Sequence, residues 1–164
     1  MGKRRRGREL ALKLLYRLDL TGEKWEDVRV RVDEYEKNEA VLDFAVVLVE
    51  AVLSRRERID AALESASDRW RVNRMPFIDR NVIRIALAEH LVRGRPEPAI
   101  IIDEAVELVR TYSTDESGSF VNGVLDRILR EREPGSLAAD SGAEESAADS
   151  GAEETGAEST PEGS

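Results

Sequence analysis

The sequence predicts an all-α fold, a compact bundle of about seven helices packed around one buried central helix. Three observations carry this. The stretch Ile78 to Val92, IDRNVIRIALAEHLV, places apolar side chains in nearly every direction when wound at 100° per residue, and a helix apolar all round is a buried one. Between Gly22 and Pro76 there is no glycine or proline to interrupt regular structure. Elsewhere the apolar residues recur mainly at intervals of three and four, the rhythm of a helix face.

In chain order, a first helix is expected from about Arg5 to Leu20, with Leu10, Leu14 and Leu18, joined by Ala11 and Leu15, as its apolar stripe. Gly22 stands where a C-terminal glycine closes a helix. The segment Trp25 to Tyr35 alternates like a strand at Val28, Val30 and Val32, yet Trp25, Val28, Val32 and Tyr35 fit a helix face. Helix is preferred, because nothing nearby offers a strand partner. The phase of Leu48, Val52, Ile59, Leu63 and Ala66 predicts one long helix from about Glu39 to Ser67, bent near Ser54 to Arg58. A polar connection carrying Trp70 follows, and Pro76 introduces the central helix. Gly94, Pro96 and Pro98 mark a turn, and Ile102, Ala105, Leu108, Val109 and Tyr112 mark another amphipathic helix.

Ser113 to Ser119 reads as a polar loop and Phe120 to Arg132 as the final helix. Asn122-Gly123 between apolar pairs is a hairpin signal, but two-residue flanks are too short for a stable hairpin. Gly123 is therefore assigned the task of letting a neighbouring helix approach closely. Within the central helix, Arg84 is expected to be a paired structural cation, with Glu104 or Glu50 as its partner, since an unpaired buried charge is too costly.

Charge divides the chain. Of its 164 residues, the stretch from Pro134 onward holds eight acidic residues and no lysine or arginine, while residues 1–133 hold 25 basic and 26 acidic groups, a net of −1. Residues 1–17 alone carry +6. Two regions follow: a helical domain over 1–133 and an acidic tail over 134–164. In the tail AADSGAEES is followed by AADSGAEET, low complexity without the apolar surface needed to offset ordering entropy, so disorder is predicted. Cysteine is absent and His90 is the single histidine, which excludes disulfides, thiolate chemistry and paired-histidine metal sites. The leucines after the basic start are interrupted by Lys13, Arg17 and Asp19, unlike a signal peptide. The longest apolar run falls far short of the roughly 20 residues of a membrane span, so a soluble, cytoplasmic protein is expected.

Arg4, Arg5, Arg6 and Arg8 occupy a helix start, where the macrodipole favours anions, so something other than helix stability is the expected reason for them. A phosphate-binding head for nucleic acid fits. Their side chains precede the apolar stripe and are expected outside the core. Lys13 and Tyr16 extend that surface with a further cation and an aromatic ring able to stack on a base. Asp103, Glu104 and Glu107 read as a solvated helix face, without a nucleophile or phosphate loop beside them.

Four blocks, Arg4-Arg5-Arg6-Gly7-Arg8-Glu9 leading to Leu15-Tyr16, Ile78-Asp79-Arg80 with Ile83-Arg84-Ile85-Ala86 and Glu89, Ile102 to Leu108, and Phe120-Val121-Asn122-Gly123-Val124-Leu125-Asp126, together resemble the NusB family of bacterial transcription antitermination factors. The resemblance spans residues 4 to about 130. It implies two packed helical subdomains, and a protein that binds the boxA element of ribosomal RNA leader transcripts with NusE, the small-subunit ribosomal protein that doubles as a transcription factor, so that the RNA polymerase elongation complex reads through terminators. By position it implies RNA contacts from the arginine block, with Tyr16 nearby and Asp115, Glu116, Ser117 and Phe120 bordering the same surface. Asp79 and its neighbour Arg80 are implied to face NusE. No cofactor or metal is implied. NusB-like domains also occur fused to RNA methyltransferases, but the 31 residues after Glu133 are too few for a catalytic domain, so the expectation is a binding protein and not an enzyme. The competing reading is a helical interaction module that does not bind RNA.

One consequence concerns the tail alone. Eight carboxylates tethered to a body with a basic head compete with RNA phosphate at effective concentrations reaching about the millimolar range, screened within about 10 Å at 0.1 M salt. Deleting residues 134–164 is expected to leave the melting temperature nearly unchanged and to raise affinity for nonspecific RNA at low salt only. Equal affinities of full-length and truncated protein in a low-salt titration would reduce the tail to a solubility device.

Overall fold

The computed structural model describes residues 2–68 and 70–130; the expectations for the acidic tail and for the last helix beyond Arg130 lie outside the described residues. Seven α-helices and two short 3₁₀ turns, with no strand, make up the described residues. Helix α1 (Lys3–Thr21) ends at Gly22, whose φ of 68° places it in the left-handed region while its N–H donates to the Leu18 carbonyl. Then come α2 (Trp25–Arg29), α3 (Glu39–Ser54), α4 (Arg56–Ala66), α5 (Phe77–Val92), α6 (Pro98–Tyr112) and α7 (Asp115–Arg130). Asn38 caps α3, its side-chain oxygen accepting from the Val41 N–H at 3.2 Å, and Pro98 opens α6 where a missing N–H costs nothing.

Helix α5 is the axis. It packs against α1 and α3 on one side and against α4, α6 and α7 on the other, which gives the two subdomains their shared core. Every residue from Asp79 to Glu89 is buried. α1 runs antiparallel to α5, because Asp19 near the end of α1 meets Arg80 and Asn81 near the start of α5 while Arg8 near the start of α1 meets Glu89 near the end of α5.

Five expectations are corrected. Trp25 to Tyr35 is not one helix: α2 stops at Arg29, and a separate 3₁₀ turn covers Val32–Glu34. Only Val28 of α2 is buried, and one anchor does not propagate a helix whose nucleus is already costly. The long helix over 39–67, expected to bend near Ser54 to Arg58, is two helices separated inside that stretch, at Arg55 (φ −118°, ψ 16°). No residue from Leu53 to Arg58 is buried, so nothing there holds the helix straight, and the break turns α4 onto α5 and α7. Asp115 to Ser119 is not loop but the first turn of α7. Thr114 accepts from the Ser117 N–H at 3.1 Å as an N-terminal cap, and Asp115 and Glu116 suit the positive helix end.

The fourth correction is Gly123, which faces outward; a Cβ there would meet nothing within 4 Å. The close approaches lie at other glycines. A Cβ on Gly7 would sit 2.6 Å from Phe44 Cδ1 and 3.3 Å from the Val41 carbonyl oxygen, and one on Gly118 would sit 2.9 Å from Arg110 Nε.

Arg84 is the structural cation expected, but its partner is Asp60, which accepts from Nε and Nη2 at 2.8 Å each. Asn81 accepts from Nη1 at 3.2 Å and Asp19 lies 3.9 Å away. Glu50 is engaged by Arg29 and Trp25, and Glu104 by Arg8. Burial raises the Asp19 carboxyl pKa, but hydrogen bonds from Asn81 and Arg80, with the charges of Arg80 and Arg56, outweigh it and leave the pKa lowered.

These glycines make opposite predictions. Gly7→Ala is expected to cost about 1–3 kcal/mol through overpacking against Phe44, whereas Gly123→Ala, exposed in a helix interior, is expected to add about 0.5–1 kcal/mol. Thermal or urea melts of the two variants check both signs.

Candidate nucleic-acid interface

The basic head is built on the first two turns of α1. Lys3 and Arg4 are exposed, with no ion pair to either among the described residues. Arg5 donates to Glu107 at 2.5 Å, with Glu9 at 4.0 Å, and Arg6 pairs with Glu36. Both are surface pairs of small energetic weight, so either arginine can exchange its carboxylate for a phosphate. Backbone N–H groups of Asn38 and Lys37, burial and Arg6 act together on Glu36, and the net effect holds its carboxyl below the usual range.

Arg8 departs from expectation. Its side chain is buried, 6% exposed, with Nε and Nη2 donating to the two oxygens of Glu89 at 2.7 Å each and Nη1 to Glu104 at 3.1 Å. The guanidinium also lies 5.8 Å from the centre of the Phe44 ring. The spacing that brings Leu10, Ala11 and Leu14 inward also brings Arg8 inward, so it fastens α1 to α5 and α6. The expectation that all four arginines stand outside the core fails at this residue. Burial raises the Glu89 pKa, but the hydrogen bond and charge of Arg8, followed by those of Arg93 at 2.6 Å, overcome it and hold the group low.

The second feature is a groove of about 330 Å³ at the corner between α6 and α7, lined by Trp70, Arg74, Met75, Pro76, Asp79, Thr114, Glu116, Ser117 and Phe120. Trp70 is 51% exposed. At the floor the Ser113 hydroxyl donates to Asp79 at 3.2 Å and lies 2.9 Å from the Ser117 hydroxyl, to which Thr114 donates at 3.2 Å. Glu116, Ser117 and Phe120 thus meet in one groove, with Asp115 beside them in the same turn, but at the start of α5 and not on the surface that carries the arginine block.

Asp79 and Arg80, the residues expected to face a protein partner, are corrected in their exposure, at 4% and 9%. Asp79 belongs to the groove floor, and Arg80 donates to Asp19 at 3.0 Å while its guanidinium stacks 4.3 Å from the Phe77 ring centre. Both are held by the same burial that makes α5 the axis. Tyr16, 37% exposed, meets Phe77 edge to face at 6.2 Å, and Lys13 and Leu20 are exposed on the same helix, Leu20 at 56%. The head and the groove occupy opposite ends of α5: Asp79 and Glu89, ten residue steps apart, are separated by about 15 Å of helix.

Sequence reasoning missed Trp70, Arg74, Met75, Pro76 and Thr114 as groove residues. A tryptophan in an otherwise polar connection was the available signal. Among the described residues no group of three or more His, Asp or Glu could hold a metal ion, and no helix is long and apolar enough to cross a membrane.

Arg8→Ala leaves Glu89 buried without its main partner and is expected to cost about 3–5 kcal/mol, so a variant lacking Arg4, Arg5, Arg6 and Arg8 together is expected to lose stability as well as charge. Because the folded pKa of Glu89 is depressed, its contribution is complete above the ordinary value near ~4.3 and is lost as pH falls through the lower folded value. Melts of the wild type and Glu89→Gln between neutral pH and pH ~3 are expected to converge at the acid end; a constant gap down to pH ~3 contradicts this.

The family model described as the NusB family matches residues 5–130. The chain is 41% identical over 138 residues to the transcription antitermination protein NusB of Desulfosudis oleivorans, covering 80% of this chain and 88% of that protein. It is 42% identical over 133 residues to that of Myxococcus xanthus, covering 78% and 95%. Among solved structures, a crystal structure of antitermination factors NusB and NusE with double-stranded RNA is similar with a TM-score of 0.72 and 31% identity, over 80% of this chain and 99% of that one. The solution structure of NusB from Aquifex aeolicus gives a TM-score of 0.67 at 33% identity, over 78% and 88%. With the buried α5, the basic start of α1 and the α6–α7 groove in place, the chain belongs to the NusB family of transcription antitermination proteins.

Proposed function

We propose that this protein is a non-enzymatic cytoplasmic antitermination factor that binds boxA-type single-stranded RNA jointly with NusE and helps the RNA polymerase elongation complex read through terminators. The observation that carries the RNA part is the groove edged by Phe120 and Trp70, with the hydroxyl of Thr114 and the cation of Arg74 beside them. Unstacked bases are held by aromatic faces, with cations for the backbone. A strand crossing the surface from this groove to Lys3, Arg4, Arg5 and Arg6 covers at least the length of the buried α5 beneath it, about 15 Å, a distance that a few nucleotides span. A structural relative assembled with NusE and double-stranded RNA supports the joint binding of NusE and RNA.

For the protein partner, the exposed strip of Tyr16 and Leu20 beside Phe77 offers an apolar face that Asp79 and Arg80, buried, do not. Tyr16 is therefore assigned to NusE rather than to a base, and Asp79 and Arg80 support that face from beneath. The rival reading, an interaction module without RNA binding, draws on the pairing of Arg5 and Arg6 with carboxylates.

Titration of boxA RNA and a scrambled RNA, with and without NusE, separates the two. Phe120→Ala is expected to weaken boxA binding by about 1–3 kcal/mol and, since Phe120 packs in part against the core, also to lower the melting temperature, so binding is measured well below the melt. Leu20→Asp is expected to weaken NusE capture while leaving binding of RNA alone unchanged. Equal affinity for both RNAs in the presence of NusE sinks the proposal.

A further inference from the structure

The turn joining α5 to α6 lies beside the basic head. Glu89, which clamps Arg8 of α1, also accepts from Arg93 Nη1 at 2.6 Å, so Arg93 stands next to the first turns of α1. Since α1 runs antiparallel to α5, the residues preceding Arg8 extend past the end of α5. Arg4, one helical turn before Arg8 on the same face, is carried toward the turn formed by Arg93, Gly94 and Arg95.

Arg95 is unusual in its backbone. Its φ is 61°, which makes it the one non-glycine residue with positive φ among the described residues, and it follows Gly94 at 71°. Its N–H donates to the His90 carbonyl at 2.9 Å, which fixes that conformation. Glycine or asparagine occupies such a position without the steric penalty that an arginine side chain incurs. A long cation placed there needs a reason, and the fold supplies none: the side chain is exposed, with no ion pair or side-chain hydrogen bond among the described residues. Arg93 differs, since Glu89 already answers its charge. Arg95 is also near enough to His90 that, after burial, its charge helps to depress the imidazole pKa, against the raising effect of the Pro96 carbonyl.

We infer that Arg95 is a phosphate-contacting residue that continues the head formed by Lys3 and Arg4 across the end of α5. The inference rests on the RNA-binding reading above and adds to it a cation from a separate element of the chain. It also answers a shortage of charge. Pairing within the fold leaves Arg5, Arg6 and Arg8 with carboxylate partners, so the arginine cluster of the sequence presents less free charge than its composition implies. A free cation on the neighbouring turn widens the head.

The decisive variant is Arg95→Gly, which removes the side chain while suiting the backbone, so the melting temperature is expected to hold or rise. One phosphate contact to single-stranded RNA contributes about 0.7 to the slope of log K against log salt, and therefore about fivefold in affinity at 0.1 M salt. Arg95→Gly is expected to flatten the slope by that amount and to weaken boxA and scrambled RNA alike. Arg95→Lys is expected to restore most of both. Arg4→Ala serves as the reference for the head itself. If Arg4→Ala flattens the slope and Arg95→Gly does not, the inference is overturned and RNA binding by the head stands. If the wild-type protein binds neither RNA, the functional reading and the inference fall together.

Discussion

Burying α5 on all sides forces its buried charges to find partners, most of them on other helices, and those partnerships set the arrangement of the whole bundle. At the start of α5, Asp19 of α1 takes Arg80 and Asn81, while Asp60 of α4 takes Arg84 through both oxygens. At its end, Glu89 takes Arg8 of α1 and Arg93, the residue that follows its own helix. An apolar interface between helices tolerates sliding by a turn; a buried ion pair does not, because a displaced guanidinium would be left uncompensated. The two clamps, one at each end, fix the register of α1 on α5. The head and the groove are consequently held at a set separation.

Much of this was legible in the sequence, for identifiable reasons. The central helix was readable because an apolar pattern without a polar face has only one physical interpretation, and Gly22 because a left-handed helix end favours glycine. Arg84 was recognisable as a structural cation from burial alone, but Asp60 was not recognisable as its partner, since that depends on the break at Arg55 that swings α4 across α5. Gly123 misled because a glycine in a helix reports only a missing side chain, and whether a neighbour fills the space is a tertiary fact. Gly7, in the same helix as the leucine stripe, has the role assigned to Gly123.

The candidate site shows a sharper limit. Counting charges along the chain places four arginines in the head, while the fold turns Arg8 inward and gives Arg5 and Arg6 carboxylates from α6 and from the segment before α3. Linear clustering therefore overstates the local positive charge, and distant contributions such as Arg95 are invisible to it. The groove was half visible: Glu116, Ser117 and Phe120 are close in sequence, but Trp70, Arg74 and Pro76 join them only because the connection before α5 folds back against α7.

The hydroxyl chain at the groove floor has a direction. Thr114 donates to Ser117, and Ser113 donates to the Asp79 carboxylate, so the remaining bond between the two serines must be donated by Ser117. All three hydroxyl hydrogens are thereby spent in a relay that ends on a carboxylate, leaving only oxygen lone pairs for a visitor to meet. Such a floor is one-sided in polarity: it presents acceptors, so donors within the groove come from its rim, where Arg74 and Trp70 stand. A groove with the same outline but a relay running the other way would present a hydroxyl hydrogen instead.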